Sequence, residues 1–137
     1  MNILFVCKYN RFRSRVAEAY FKKVNKNKRI KVKSGGLIQG SYPIDAIQLR
    51  EAKKYGININ GRPKTISTKI LKWVDVIVIV ANDVSSSIFE SNKYRKKLIV
   101  WKIKDVTNGN DMKGDRRVIK QIMKKIEGLV KQLESKK

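Results

Sequence analysis

Residues 5–20, FVCKYNRFRSRVAEAY, decide the fold, because they join the end of an apolar run to the start of a helical pattern. The run spans residues 2–7 (NILFVC), and its continuous apolar character predicts a strand buried on both faces. From residue 14 onward, SRVAEAYFKKV repeats apolar residues at helical spacing, and we expect Ser14 to cap this helix. The only cysteine of the chain, Cys7, therefore ends the first strand.

The rest of the chain alternates between strand and helix patterns. Strands are predicted within residues 29–34, 75–81 and 96–103, and helices within 43–56, around 83–91 and from about 116 onward. This order predicts a single α/β domain over residues 1–137, with a four-stranded parallel sheet, helices on both faces and a phosphate-binding loop after strand 1. Ligands of such sheets bind at the carboxyl ends of the strands, where Cys7 and Asp105 should both lie.

The residue composition narrows the possible chemistry. The chain has one cysteine and no histidine, which excludes Ser-His and Cys-His catalysis, an internal disulfide and imidazole-ligated metals. We predict neither a metal nor a cofactor. Because no apolar run has the length of a membrane span and no leader precedes the first strand, the default expectation is a cytoplasmic protein without membrane association.

The formal net charge of +22 predicts attraction to polyanions, which include nucleic acid, acidic proteins and phosphorylated substrates. The lysines are spread over the whole chain, and charge alone specifies no groove or base contact. Nucleic acid therefore stays an alternative partner through the basic surface, and the sequence does not indicate an oligomeric state.

The loop after Cys7 has the composition of an anion cradle. Successive backbone N–H groups and a helix N-terminus bind oxyanions. Together with Arg13, these dipoles should favour the thiolate of Cys7, and the two-pronged guanidinium of Arg13 fits two phosphoryl oxygens. Ser14 can donate a hydrogen bond to the thiolate, and Asn10 can brace the loop. Each residue alone is more often structural, but the joint spacing Cys-x5-Arg-Ser is much less expected by chance.

The segment ILFVCKYNRFRSRVAEAYF resembles the active-site segment of the low molecular weight protein tyrosine phosphatase family, which also includes thioredoxin-coupled arsenate reductases. The residues in register with the family are Cys7, Asn10, Arg13, Ser14, Ala17 and Glu18. The resemblance continues in SGG after the second strand, in residues 42–64 and in WKIKDVTNG, which occupies the place of the family's general-acid loop.

The resemblance implies a phosphomonoester hydrolase, most simply a protein tyrosine phosphatase, that forms a phosphocysteine on Cys7. Asp105 would protonate the leaving group, with Asp111 and Asp115 as the other candidates, and no metal is required. The substrate would be a phosphorylated protein or a small phosphomonoester. Phosphate oxygens would be held by Arg13 and by the loop residues Lys8, Tyr9, Asn10, Arg11, Phe12 and Ser14.

The loop also departs from the family pattern. Tyr9 stands where the family usually has a glycine, and Phe12 stands where many members have a second, protective cysteine. In the general-acid loop, Val106 and Thr107 replace a proline and an aromatic residue that often flanks phosphotyrosine. We expect Tyr42 to supply that aromatic wall instead, with Tyr9 or Phe12 as alternatives, while Lys8 and Arg11 add positive charge at the mouth.

Two other functions stay open. An arsenate reductase of the thioredoxin-coupled kind needs two more cysteines, so a single-cysteine version would use an external thiol. A non-catalytic module that binds phosphate or polyanions would retain the loop without the chemistry. For a phosphatase, the sequence leaves phosphotyrosine, phosphoarginine and small phosphoesters as possible substrates.

Overall fold

The computed structural model describes residues 1–90, 97–106 and 111–135. The strands are β1 (Asn2–Cys7), β2 (Lys31–Gly36), β3 (Val76–Val80) and β4 (Lys97–Trp101). The helices are α1 (Arg13–Val24), α2 (Ala46–Lys53), α3 (Thr68–Trp73) and α4 (Met112–Glu134), with a short 3₁₀ helix at Ser86–Phe89. The four strands form one parallel sheet in the order β2-β1-β3-β4, which confirms the predicted α/β fold.

Alternate side chains of β1 supply the two hydrophobic layers of the protein. Ile3 and Phe5 join the larger layer, which lies under α1, α2 and α4. Leu4 and Val6 point to the other face and pack with residues of α3 and the 3₁₀ helix. The sheet is therefore covered by helices on both faces, as predicted. In the described ranges, no helix combines the length and the apolar character needed to cross a membrane.

Side-chain caps set three helix starts that differ from the predicted ones. Asp45 accepts hydrogen bonds from two backbone amides of α2, so this helix begins after Asp45 and not at Pro43. Asp111 caps α4 by accepting from the amide of Gly114, and that helix begins earlier than the predicted start at about Arg116. Ser67 caps α3, which we had not predicted. A helix of only six residues is too short for its periodicity to show in the sequence.

Candidate active site

The thiol of Cys7 lies at the bottom of the β1–α1 loop. The residue is 3% exposed, and its Sγ is 3.0 Å from the hydroxyl oxygen of Ser14. The prediction that Ser14 caps α1 is wrong. The helix begins at Arg13, and Phe12 stands at the cap position without a side-chain cap bond. Ser14 lies inside the first turn, where its hydroxyl faces the cysteine.

Asn10 ties the loop to two other segments. Its φ of 54° lies in the left-handed region, which asparagine tolerates better than most residues. The buried side chain donates from Nδ2 to Ser14 (2.7 Å) and to Ser34 within β2 (3.0 Å), and its Oδ1 accepts from the amide of Lys64 (2.9 Å). Ser34 in turn donates to the carboxylate of Glu18. This chain of bonds connects Cys7, through Ser14, to the first helix and to the second strand.

The loop passes so close to the end of β2 that a side chain is excluded there. A Cβ atom on Gly36 would lie 2.7 Å from the carbonyl carbon of Tyr9 and 2.8 Å from the amide nitrogen of Asn10. The positive φ of the loop falls on Asn10, and Tyr9 is not among the described residues with positive φ. The ring of Tyr9 is 39% exposed, so the loop accommodates this residue by directing it outward.

Arg13 lies almost wholly inside the protein, at 2% exposure, and contacts the segments that follow two strands. Its Nη1 donates to the carbonyl oxygen of Ile103 (3.0 Å). Its Nη2 donates to Asp83, at 3.0 Å from Oδ1 and 3.3 Å from Oδ2, and lies 3.6 Å from Oδ2 of Asp105. The guanidinium is therefore held between the segments that follow β3 and β4. Both segments lie at the carboxyl ends of the strands, where the β1–α1 loop also lies.

Asp83 is the residue of this site that the sequence analysis missed. It lies three residues beyond the end of β3, and its side chain is 38% exposed. The signal was available in the sequence, because an aspartate just after the most apolar strand belongs to the same sheet edge as Asp105. The rule that places Cys7 and Asp105 at this edge applies equally to Asp83.

The three candidate acids have different surroundings. Asp105 is 45% exposed, contacts Arg13, and accepts a hydrogen bond from the amide of Val106. Asp111 caps α4. Asp115 is buried beside Gln48, and burial, reinforced by neighbouring carboxylates, raises its pKa. Of these three, Asp105 is the one for which the structure gives a contact with Arg13.

The side chains predicted at the mouth separate into buried and exposed ones. Phe12 is 4% exposed and belongs to the hydrophobic core, so it does not flank a substrate. Tyr42 is 55% exposed. Lys8 lies over the ring of Tyr9, and Arg11 donates to the carbonyl oxygen of Pro43. Thr107 lies outside the described residues.

Within the described part of the chain, no group of three or more acidic or cysteine side chains is placed to hold a metal ion.

Known structures share this fold over nearly the whole chain. A protein tyrosine phosphatase from Entamoeba histolytica is 26% identical, with 98% of this chain and 96% of that chain covered and a TM-score of 0.81. An arsenate reductase from Archaeoglobus fulgidus is 27% identical, with 93% and 98% covered and a TM-score of 0.75. The YwlE arginine phosphatase from Geobacillus stearothermophilus is 19% identical, with 98% and 94% covered and a TM-score of 0.84, which shows the fold alone.

No curated protein matches the sequence significantly. A family model described as low molecular weight phosphotyrosine protein phosphatase matches residues 2–137. With a cysteine at the end of strand β1 and this match across the chain, the protein is a cysteine-based phosphatase and belongs to the low molecular weight phosphotyrosine protein phosphatase family.

Proposed function

We propose that this protein hydrolyses the phosphate ester of phosphotyrosine through a phosphocysteine on Cys7, with Arg13 as phosphate ligand and Asp105 as general acid. The observation that carries the proposal is the convergence of three groups at one sheet edge. The thiol lies beside Ser14, the guanidinium belongs to the preceding residue of α1, Arg13, and Asp105 lies 3.6 Å from that guanidinium. The exposed ring of Tyr42 supports an aromatic substrate.

In the first step, the Cys7 thiolate attacks phosphorus in line with the leaving oxygen. A sulfur–phosphorus bond forms, the phosphorus–oxygen bond to the tyrosine breaks, and Asp105 gives its proton to the departing oxygen. The hydroxyl of Ser14, 3.0 Å from the sulfur, stabilises the thiolate when it donates its hydrogen bond.

Arg13 and the loop amides of residues 8–13 stabilise the charge on the three equatorial oxygens. A guanidinium has five N–H donors. The contacts of Arg13 with Ile103 and Asp83 use only part of them, so donors remain for two oxygens of the phosphoryl group. Those two protein contacts fix the plane of the guanidinium before the substrate arrives.

In the second step, water attacks the phosphocysteine. The carboxylate of Asp105 accepts a proton from that water, the sulfur–phosphorus bond breaks, and inorganic phosphate leaves. Asp105 is then protonated and the thiolate is restored, which returns the site to its starting state. The 45% exposure of Asp105 lets water reach this carboxylate.

The test is hydrolysis of para-nitrophenyl phosphate by the wild type and by Cys7→Ser and Arg13→Ala. We expect both variants to lose essentially all turnover, and a rapidly quenched wild-type reaction to carry one phosphoryl group on Cys7 by mass spectrometry. Lys131→Gln, an exposed substitution on α4, is the control and should keep its activity. Turnover by Cys7→Ser at the wild-type rate would overturn the proposal.

A second candidate is arsenate reduction, which the Archaeoglobus fulgidus neighbour favours. Cys7 is the only cysteine, so an arsenylated Cys7 would need an external thiol for release and reduction of arsenic. Arsenate-dependent oxidation of glutathione, absent in Cys7→Ser, would support this activity.

We propose further that residues 1–137 act as one domain, in keeping with the family match over residues 2–137. A thiolate nucleophile needs a reducing compartment, and we therefore place the activity in the cytoplasm.

A further inference from the structure

One wall of the site is built from two chain segments that run side by side. The amide of Leu37 donates to the carbonyl oxygen of Cys7 (3.3 Å), and the amide of Ile38 donates to that of Lys8 (3.0 Å). Further along, a Cβ atom on Gly40 would meet the carbonyl oxygen of Tyr9. Residues 37–43 therefore continue the surface of the phosphate-binding loop and reach the outer edge of the site.

This outer edge carries the side chains of Lys8, Tyr9, Arg11, Tyr42 and Arg62, which we call the rim. Two cation–aromatic pairs order it. The Nζ atom of Lys8 lies 5.3 Å from the ring centroid of Tyr9, and the Cζ atom of Arg62 lies 5.2 Å from that of Tyr42. Such contacts hold flexible cationic side chains over exposed rings. The cationic groups of the rim are therefore held in defined positions, unlike lysine side chains that extend freely into solvent.

Two further contacts anchor the rim to the rest of the protein. Arg11 donates from Nη2 to the carbonyl oxygen of Pro43 at 3.2 Å, which joins the two segments. The carbonyl oxygen of Arg62 accepts a hydrogen bond of 2.9 Å from Arg15 of α1, which fixes the backbone that carries this guanidinium. Both arginines are therefore positioned before any ligand binds.

In the part of the chain that the structure describes, the cations of the rim form no ion pair. Among the described residues, no carboxylate lies within 4.0 Å of Lys8, Arg11 or Arg62. The carboxylates closest to the chemistry, Asp83 and Asp105, face Arg13 instead. An unneutralised cluster of three ordered cations at the mouth of a phosphate site favours a ligand with several negative charges.

We infer that the rim selects substrates in which the phosphotyrosine is flanked by aspartate or glutamate residues. The inference rests on the proposed function, since it concerns the substrate of the same site. The phosphoryl group enters the loop, and carboxylates on either side of the tyrosine meet Arg11, Arg62 and Lys8. Phosphoarginine is disfavoured by the same rim, because its guanidinium carries a positive charge to the mouth.

The test uses the Cys7→Ser protein, which binds without turnover, and fluorescence anisotropy of labelled peptides. One phosphotyrosine peptide has acidic flanks, and its partner has each Asp and Glu replaced by Asn and Gln. Since exposed ion pairs are individually weak, we expect the acidic peptide to bind about five- to tenfold more tightly. Adding Arg62→Gln should lower this ratio, and adding both Arg11→Gln and Arg62→Gln should bring it close to one.

The matched control is the pair Lys124→Gln and Lys131→Gln, two exposed cations on α4 that remove the same charge from the protein. The inference predicts that this control keeps the acidic preference. An equal loss of preference in the control and in the rim variant would assign the effect to the overall charge and overturn the inference. Equal affinity for the two peptides, or equally tight binding of the unphosphorylated acidic peptide, would also overturn it.

The two hypotheses fail differently in these experiments. Suppose that the wild-type protein does not hydrolyse para-nitrophenyl phosphate, but its Cys7→Ser variant prefers acidic phosphopeptides through Arg11 and Arg62. This result would contradict the catalytic proposal and support the inference about the rim. A wild-type protein that hydrolyses acidic and neutral phosphopeptides with equal kcat/KM would retain the catalytic proposal and contradict the rim.

Discussion

Arg13 and Asp83 form a buried-to-surface ion pair in which one guanidinium nitrogen lies 3.0 and 3.3 Å from the two carboxylate oxygens. The same nitrogen lies 3.6 Å from Asp105, so carboxylates from the ends of two strands face a single cation. The arginine is therefore both oriented and partly neutralised before a phosphoryl group enters. Asp83 is a positioning residue in this arrangement, because it acts on the substrate through Arg13.

We predict that Asp83→Ala lowers kcat/KM for para-nitrophenyl phosphate by at least about tenfold, because the guanidinium loses the partner that holds its plane. Asp83→Asn keeps one acceptor for Arg13 and should lose less. Steady-state kinetics of both variants, with circular dichroism to confirm folding, test this. A folded Asp83→Ala protein with wild-type kcat/KM would show that Asp83 is not needed to orient the arginine.

For Asp105, we predict that Asp105→Asn slows hydrolysis most for aryl phosphates with poor leaving groups. An asparagine cannot donate a proton to the departing oxygen, and this loss matters least when the phenolate is already stable. The measurement is kcat across phenols of increasing pKa. Asp111→Asn is the matched control, since Asp111 caps α4. A steeper leaving-group dependence in Asp111→Asn would make Asp111 the general acid.

Asn10 should contribute to the stability of the folded protein. Asn10→Ala removes three hydrogen bonds, and it places alanine at φ 54°, where no side-chain amide offsets the steric strain of the left-handed backbone. We expect a loss of about 2–4 kcal/mol in unfolding free energy. Asn10→Gly removes the same bonds but tolerates the backbone, and it should recover about 1 kcal/mol of that loss. Urea unfolding of both variants separates the two contributions. Equal stability of the two would mean that the left-handed conformation is not retained.

Asp115 gives a prediction about pH. Its pKa is raised mainly by burial, and the carboxylates of Asp45, Asp111 and Glu51 raise it further. The folded protein therefore holds this proton more tightly than the unfolded chain, so ionised Asp115 lowers stability at neutral pH, and this cost disappears as the pH falls through the folded pKa. Asp115→Asn should raise Tm by a few degrees at pH 7.

Thermal unfolding from pH 7 down to pH 3 provides the measurement for Asp115. The difference in Tm between Asp115→Asn and the wild type should shrink as the wild-type carboxyl becomes protonated. Gln48 contacts Asp115, so the asparagine retains a polar partner. A Tm difference that stays constant over this pH range would show that packing, and not the charge, is responsible.

Particular residues show what could be inferred from the sequence. The apolar runs that became β1 and β3 predicted buried strands, since continuous burial on both faces requires continuous apolar side chains, and the structure places these two strands at the centre of the sheet. The order of strands and helices then predicted the parallel sheet and the edge at which Cys7 and Asp105 lie. The short helix α3 was missed, because six residues do not display a helical period.

For the site too, some residues could be found from the sequence and others could not. Cys7, Arg13 and Ser14 were found by their spacing, which is local. The place of Asp83 just after β3 is a local signal for the same sheet edge, but its pairing with Arg13 spans 70 residues of chain and depends on the fold. The expected hydrogen-bond contact of Ser14 with the thiol of Cys7 agrees with the 3.0 Å distance in the structure. Its expected role as a cap was wrong, because the helix begins one residue earlier, at Arg13.

By itself, the sequence determined the parallel α/β sheet and the loop that follows its first strand, because hydrophobic periodicity and the spacing of residues 7–14 are local properties of the chain. Only the tertiary structure decided which aspartates face Arg13, which aromatic rings stay exposed, and which cations of the rim have no carboxylate within 4.0 Å among the described residues. These are contacts between segments far apart in sequence, and their distances are set by how the loops at one edge of the sheet pack together.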